Sequence, residues 1–150
     1  MSEPYEYRTT GRWTGGGNGV VRAESIQPPI DFGAPPEFQG QAGVWTPEHL
    51  LLAAATSCFI TTFRAIAEAS HFEFLALDVE SRGRIGKADG GWHFTEIAIE
   101  PTLTIFREGD RQRANRLLEK AKQSCLVARS LALTVIMTPL VRAAAEVLAL

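Results

Sequence analysis

Thr46-Pro47-Glu48-His49-Leu50-Leu51-Leu52-Ala53-Ala54-Ala55-Thr56-Ser57-Cys58 is the stretch in which the character of the chain changes and its fold is decided. Thr46 is a good N-cap, Pro47 suits the first helical position, where an N–H would go unpaired, and Glu48 complements the positive end of the helix dipole. The spacing predicts a long helix running to about Ser70, with Leu51, Ala54, Ala55, Cys58, Phe59, Thr62, Phe63 and Ile66 on one broad face that must be buried. Cys58 lies within that face.

Upstream, Tyr5, Tyr7, Thr9 and Trp13 alternate along one side of an extended segment, and Val20 to Ile26 extends again after Gly15-Gly16-Gly17-Asn18-Gly19. That predicts a β-hairpin. The glycine run does not fit a phosphate loop: counted from Gly15, the third glycine of G-x-G-x-x-G falls on Val20, and no Lys-Ser or Lys-Thr follows. Residues 27–45, with Pro28, Pro29, Pro35, Pro36, Gly40 and Gly43, read as a long irregular loop of the kind that covers a site or wraps a partner.

Downstream, Leu75, Leu77, Val79, Ser81, Gly83 and Ile85 alternate against Asp78, Glu80, Arg82 and Arg84, the pattern of a half-solvated strand. Asp89-Gly90-Gly91 turns the chain into a second strand, where Ile97, Ile99, Leu103 and Ile105 share a face but Trp92 and Phe94 fall out of phase. A bulge at Thr95 or Glu96 reconciles the halves. Asp110 is expected to cap a shorter helix with a stripe of Ala114, Leu117, Leu118 and Ala121 that arrives at Cys125, and Leu131 to Met137 reads as a last strand. Strands, helix, strands, helix and strand make an α+β fold rather than a regular βαβ series.

A chain of 150 residues is expected to form one domain, large enough to bury roughly 70% of its unfolded surface without a disulfide. Seventeen acidic and 15 basic residues leave a formal charge of −2, which argues against nucleic acid as a partner. No stretch is expected to approach the ~20 apolar residues of a membrane span, so no membrane partner is expected. Met1-Ser2-Glu3-Pro4-Tyr5-Glu6 has neither the basic start nor the apolar core of a signal peptide. A cytoplasmic location follows as the expectation, and there a cysteine pair is more often catalytic or redox-sensing than structural.

The two cysteines, Cys58 and Cys125, each sit on an apolar helical face. Either one alone is most simply a small buried hydrophobe; as a pair they suggest redox chemistry. A reactive Cys58, three turns into its helix, needs a cation or hydrogen-bond donor beside it. His49 lies 2.5 turns earlier on the opposite face, roughly 13 Å along the axis, and Glu48 roughly 15 Å away, so Glu48 can meet Cys58 only through another part of the fold or a second subunit. Candidate cations are Arg12 and Arg22 flanking the glycine turn, Arg64, which faces away from Cys58, and Arg129 just past Cys125. No C-x-x-C and no His pair at ligand spacing is present, with His49, His71 and His93 scattered, so neither a metal nor any other cofactor is expected. A serine hydrolase lacks its G-x-S-x-G elbow.

The stretch from Thr46 to Cys58 resembles the first-cysteine motif of the OsmC/Ohr family, osmotically inducible protein C-like and organic hydroperoxide resistance proteins, whose usual form is Asn-Pro-Glu-x-Leu-Leu-x-Ala-x-x-x-x-Cys. The second motif has its counterpart in Ala121-Lys122-Gln123-Ser124-Cys125-Leu126-Val127, and the element order is similar from about residue 5 to 138. Two positions depart from the pattern. Gly17-Asn18-Gly19 lacks the arginine that the organic hydroperoxide branch carries after its glycine turn, which leaves Arg22 or Arg12 to substitute, and Ala128-Arg129 stands where Ser-Asn is usual.

The resemblance implies antiparallel sheets around a long central helix, in an intertwined homodimer with active sites at the interface. It covers most of the chain as a single domain, with residues 139–150 as a C-terminal extension; the tail from Leu140 to Leu150 is a further departure, longer and more helical than the pattern, with Leu140, Val141, Ala144, Val147 and Leu148 free to pack on the dimer or to fray. It further implies a thiol-dependent peroxidase of the antioxidant stress response. Cys58 would attack the hydroperoxide, Cys125 would resolve the sulfenic acid as a disulfide, and Glu48 would hold an activating arginine, here assigned to Arg22. Phe59 and Phe63 would favour an organic hydroperoxide, and a dithiol reductant would reset the pair. The alternative is a redox-sensing or ligand-binding dimer of the same fold with little or no turnover; two buried thiols in a purely structural dimer are a third reading.

Overall fold

The computed structural model describes residues 3–148. Met1, Ser2 and Leu150, which belong to the terminal stretches considered above, lie outside the described residues together with residue 149. The chain divides into two compact units, residues 1–51 and 52–150.

The first unit is a three-stranded antiparallel sheet in the order β1-β2-β3, from strands β1 (Thr9–Gly15), β2 (Asn18–Ala23) and β3 (Ile26–Gly33). The hairpin between β1 and β2 is the one the glycine turn predicts. Gly15 and Gly16 adopt φ of 124° and 57°, values open to glycine and strained for other residues, and the Trp13 indole N–H donates to the Gly16 carbonyl at 2.8 Å.

The loop expected over 27–45 is a strand in its first part. β3 occupies an edge of the sheet, where prolines without an N–H are tolerated. Pro28 and Pro29 fall in the irregular stretch between the Val21↔Ile30 and Ala23↔Ile26 pairings. The chain then turns through a 3-10 segment at Pro36–Phe38 and returns to bond Gly33 N–H to the Trp45 carbonyl at 2.8 Å.

Helix α1 (Pro47–Ala69) starts at the predicted cap: the Thr46 hydroxyl accepts the His49 backbone N–H at 3.1 Å. Its fully buried residues are Ala55, Phe59, Phe63 and Ala67, a ridge of every fourth residue. Thr56 bonds the Ser81 hydroxyl at 2.6 Å, and Phe63 meets Phe74 edge-on with ring centres 5.2 Å apart. The expected broad buried face is therefore only half covered, since Leu51, Ala54, Cys58, Thr62 and Ile66 remain partly exposed. One ridge is all that a neighbour on one side can cover. The expectation that no segment approaches a membrane span is also corrected: by length and composition alone α1 is apolar enough to cross one, because its small hydroxyl residues barely lower the average.

The rest of the second unit is a sheet in the order β4-β5-β6, from β4 (Ala76–Ala88), β5 (Gly91–Ile105) and β6 (Val135–Met137), with β7 (Leu140–Ala143) also paired to β5. Arg84 pairs with Glu96 and Ile85 with Phe94, so Thr95 is the extra residue of the predicted bulge. Asp89 at φ 50° and Gly90 at φ 84° close the hairpin. Helix α2 (Arg111–Ser124) buries Ala114, Leu117, Leu118 and Ala121 as the stripe predicts. Asp110 holds the cap position without a side-chain cap bond, its carboxylate lying 3.5 Å from Arg107 instead.

Two expectations downstream are corrected. The strand expected from Leu131 is only Val135–Met137, preceded by a helical turn, α3 (Leu126–Arg129). The tail expected to be helical from Leu140 begins as β7, parallel to β5, and only Ala144–Leu148 (α4) is helical. Val141 and Ala143 turn inward onto the core, and the Arg111 guanidinium clasps the segment by bonding the Val141 carbonyl and the Glu146 carboxylate.

Phe63→Ala is expected to lower the unfolding free energy by about 3–5 kcal/mol in urea titrations, because it empties a fully enclosed site. Gly40→Ala is expected to cost about 1–3 kcal/mol in the same measurement, since an added Cβ would stand 1.6 Å from the Ala34 carbonyl oxygen.

Candidate redox site

The second unit brings Cys58 and Cys125 together. α2 ends at Cys125, whose ψ of 113° takes the chain out of the helix before α3 begins. The first intrahelical bond of α3 is Arg129 N–H to the Cys125 carbonyl, at 3.0 Å. The amides of Leu126, Val127 and Ala128 are thus the unspent donors of a helix start, and they favour negative charge on the two sulfurs.

Burial pushes the Cys58 thiol up, but the Val127 amide, the Cys125 thiol, the Thr62 hydroxyl and the Leu126 amide outweigh it and hold Cys58 below the ordinary thiol range. Thr62 Oγ1 stands 3.8 Å from Cys58 Sγ. Cys125 is shifted the other way: burial raises it, the Ala128 amide offsets part of this, and the neighbouring Cys58 sulfur adds to the rise. Cys58 is partly exposed and Cys125 is 0% exposed, both as free thiols. An accessible thiol that ionises easily thus adjoins an enclosed one that keeps its proton, and the thiolate is the nucleophile.

The other predicted residues lie elsewhere. Glu48 stands in the first turn of α1, with its Oε1 buried and without a hydrogen-bond partner. Arg22 on β2 faces Thr10 across the hairpin, and Arg12 on β1 faces Val20. These four residues share one side of the sheet around a cavity of about 280 Å³, so the two candidate arginines are neighbours within the first unit. Arg64 is paired with Glu68 at 3.3 Å, and Arg129 is exposed at the end of α3. His49 Nδ1 lies 2.8 Å from the Thr46 hydroxyl. Among the described residues no cluster of three or more His, Cys, Asp or Glu is placed to hold a metal.

The sequence reading missed the amides of residues 126–128 as donors, and it placed Thr62 only on the apolar face. The i, i+4 spacing from Cys58 was the available signal for Thr62.

The family model for OsmC-like proteins matches residues 40–138, which include both cysteines. The chain belongs to the OsmC-like family. It is 30% identical over 122 residues to the uncharacterised protein YmaD of Bacillus subtilis, an alignment covering 79% of this chain and 81% of YmaD. An OsmC-like protein of unknown function from Vibrio cholerae superposes with a TM-score of 0.82 at 17% identity, over 91% of this chain and 100% of that one. An organic hydroperoxide resistance protein from Elizabethkingia anophelis, with thiocyanate bound, superposes with a TM-score of 0.78 at 23% identity, over 95% and 100% of the two chains. The OsmC-like fold, α+β with a long helix, is therefore the fold of this chain.

Iodoacetamide is expected to modify Cys58 well before Cys125 in the native reduced protein, as read by peptide mapping. The rate at Cys58 should rise with pH to a plateau, with its midpoint below the ordinary thiol value of 9.0, because the folded chain favours the thiolate. Cys125→Ala removes one of the groups that lower it, so that profile should move to higher pH.

Proposed function

We propose that the chain is a thiol-dependent peroxidase that reduces hydroperoxides, organic ones in preference, and works as a homodimer in the cytoplasm. The observation that carries this reading is the pair of adjoining free thiols, one partly exposed and the other enclosed, whose surroundings favour ionisation of the first and oppose it in the second. A peroxidase cycle asks for that pair. The Cys58 thiolate attacks the terminal peroxide oxygen, the O–O bond breaks, and the alkoxide leaves and takes up a proton as the alcohol, with Cys58 oxidised to sulfenic acid. The Cys125 thiol then displaces hydroxide from that sulfur. Its proton and the hydroxide leave as water, and a Cys58–Cys125 disulfide forms. A dithiol reductant restores both thiols by exchange and is itself oxidised to a disulfide.

The homodimer reading rests on α1, whose Leu51, Ala54, Cys58, Thr62 and Ile66 are left partly uncovered. A second copy packing there would enclose Cys58 and exclude water from the peroxide. Glu48 needs a donor for its buried oxygen, and Arg22 is assigned that place, with its guanidinium polarising the peroxide. The organic preference is supported by Leu126, 70% exposed and next to the thiol pair. The protein from Elizabethkingia anophelis, named for organic hydroperoxide resistance, has the same fold.

One equivalent of cumene hydroperoxide added to the reduced protein is expected to consume two thiols rapidly, and hydrogen peroxide to do so more slowly, as followed by stopped flow and mass spectrometry. Cys58→Ser should abolish the reaction and Cys125→Ser should stop it at the sulfenic acid. Arg22→Ala should slow the first step about a hundredfold. Absence of thiol loss over minutes with either peroxide would sink the peroxidase reading, whereas one fast oxidation without turnover on adding a dithiol would favour the redox sensor.

A further inference from the structure

Helix α1 carries several hydroxyl side chains, and most do what hydroxyls in helices ordinarily do. Thr56 donates to the Leu52 carbonyl at 2.8 Å, Ser57 to the Ala53 carbonyl at 2.8 Å, and Thr61 to the Ser57 carbonyl at 3.1 Å. Each bonds back to the carbonyl four residues earlier. The Cys58 carbonyl, four residues before Thr62, already accepts the Thr61 hydroxyl at 3.1 Å, and Thr62 Oγ1 stands 3.8 Å from the Cys58 sulfur. A thiolate has no proton to give, so in that state the hydroxyl is the donor. In a helix Thr divides between two χ1 rotamers according to what its hydroxyl bonds, and Thr62 takes the one that faces the sulfur.

The charge around the sulfur gives this bond its weight. Arg64 on α1 is engaged with Glu68, and on the elements that face the sulfur the cations are Lys122 near the end of α2 and Arg129, exposed at the end of α3. The groups that favour the Cys58 thiolate in the second unit are two backbone amides, a thiol and this hydroxyl, all neutral.

We propose that Thr62 is a positioning residue for Cys58, whose hydroxyl, withheld from the helix backbone, donates to the thiolate and fixes its sulfur in the attacking position. The inference rests on the peroxidase reading in taking Cys58 as the reacting thiol. It divides the labour within that reading: Thr62 holds the nucleophile at rest, and Arg22 acts on the peroxide.

The test is the pH profile of iodoacetamide alkylation at Cys58, read by peptide mapping on the full-length reduced chain without peroxide, so its result is separate from that of any peroxidase assay. Thr62→Val keeps the shape and removes the donor. It is expected to move the midpoint up by about one pH unit, roughly a tenfold loss of thiolate below both midpoints, with an unchanged thermal transition. Thr62→Ser keeps the hydroxyl and should stay near the parent midpoint. Should the Val variant fold poorly, Thr62→Ala loses the same donor and is read in the same way. In rapid-mixing experiments the rate constant for sulfenic acid formation should fall with the thiolate fraction, while the dependence on reductant concentration stays as in the parent. An unmoved midpoint in the Val and Ala variants overturns the proposal, as does a Ser variant displaced as far as the Val one. A normal profile shift in a protein that ignores peroxides would leave Thr62 in its role and remove the peroxidase reading alone.

Discussion

The structure turns on a helix that stops one residue too soon to satisfy its successor. At Cys125 the backbone leaves α2, and the first amides of α3 have no carbonyls to bond. Such unspent amides favour negative charge beside them, and here it is the two sulfur atoms that they favour. The core serves this junction. The buried stripe of α2 fixes the direction in which Cys125 arrives, and the ridge Ala55-Phe59-Phe63-Ala67 anchors α1 so that Cys58, one position off the ridge, faces the same point.

Two chemically identical thiols become different through their surroundings alone. Both lose hydration, and both gain two amides. Cys58 also gains a hydroxyl and the proton of its partner, while Cys125 gains a neighbour whose negative charge resists a second ionisation. The pair shares one proton more easily than it loses two. That polarity fixes the order of events in any oxidation, because the sulfur that ionises first also meets solvent.

Much of the scaffold was legible because its signals are local. The hairpin glycines stand where φ is positive, and Trp92 and Phe94, out of phase with Ile97, marked the extra residue at Thr95. β3 was obscured by Pro28 and Pro29, which argue against a strand unless it lies at an edge, and edge position is a tertiary fact. The tail misled because Leu140, Val141, Ala144, Val147 and Leu148 suit a helical spacing, whereas pairing with β5 claims the first of them as a strand. Within the site, side-chain identity pointed to both cysteines. The amides of 126–128 were not readable, since their direction depends on ψ at Cys125 rather than on any side chain. A helical wheel likewise identifies the apolar residues of α1 without revealing which neighbour covers them.

The clasp of Arg111 carries a practical lesson about the chain's end. Its guanidinium sits at the first residue of α2 and grips the Val141 carbonyl and Glu146, and the Glu146 carboxylate also accepts the Ala143 N–H at 3.1 Å. α2 is a stiff rod about 21 Å long by its helical rise, with the tail fastened to one end and the enclosed thiol at the other. Loss of the segment from Val141 to Glu146 would therefore unfasten the end of the rod whose other end carries the enclosed thiol.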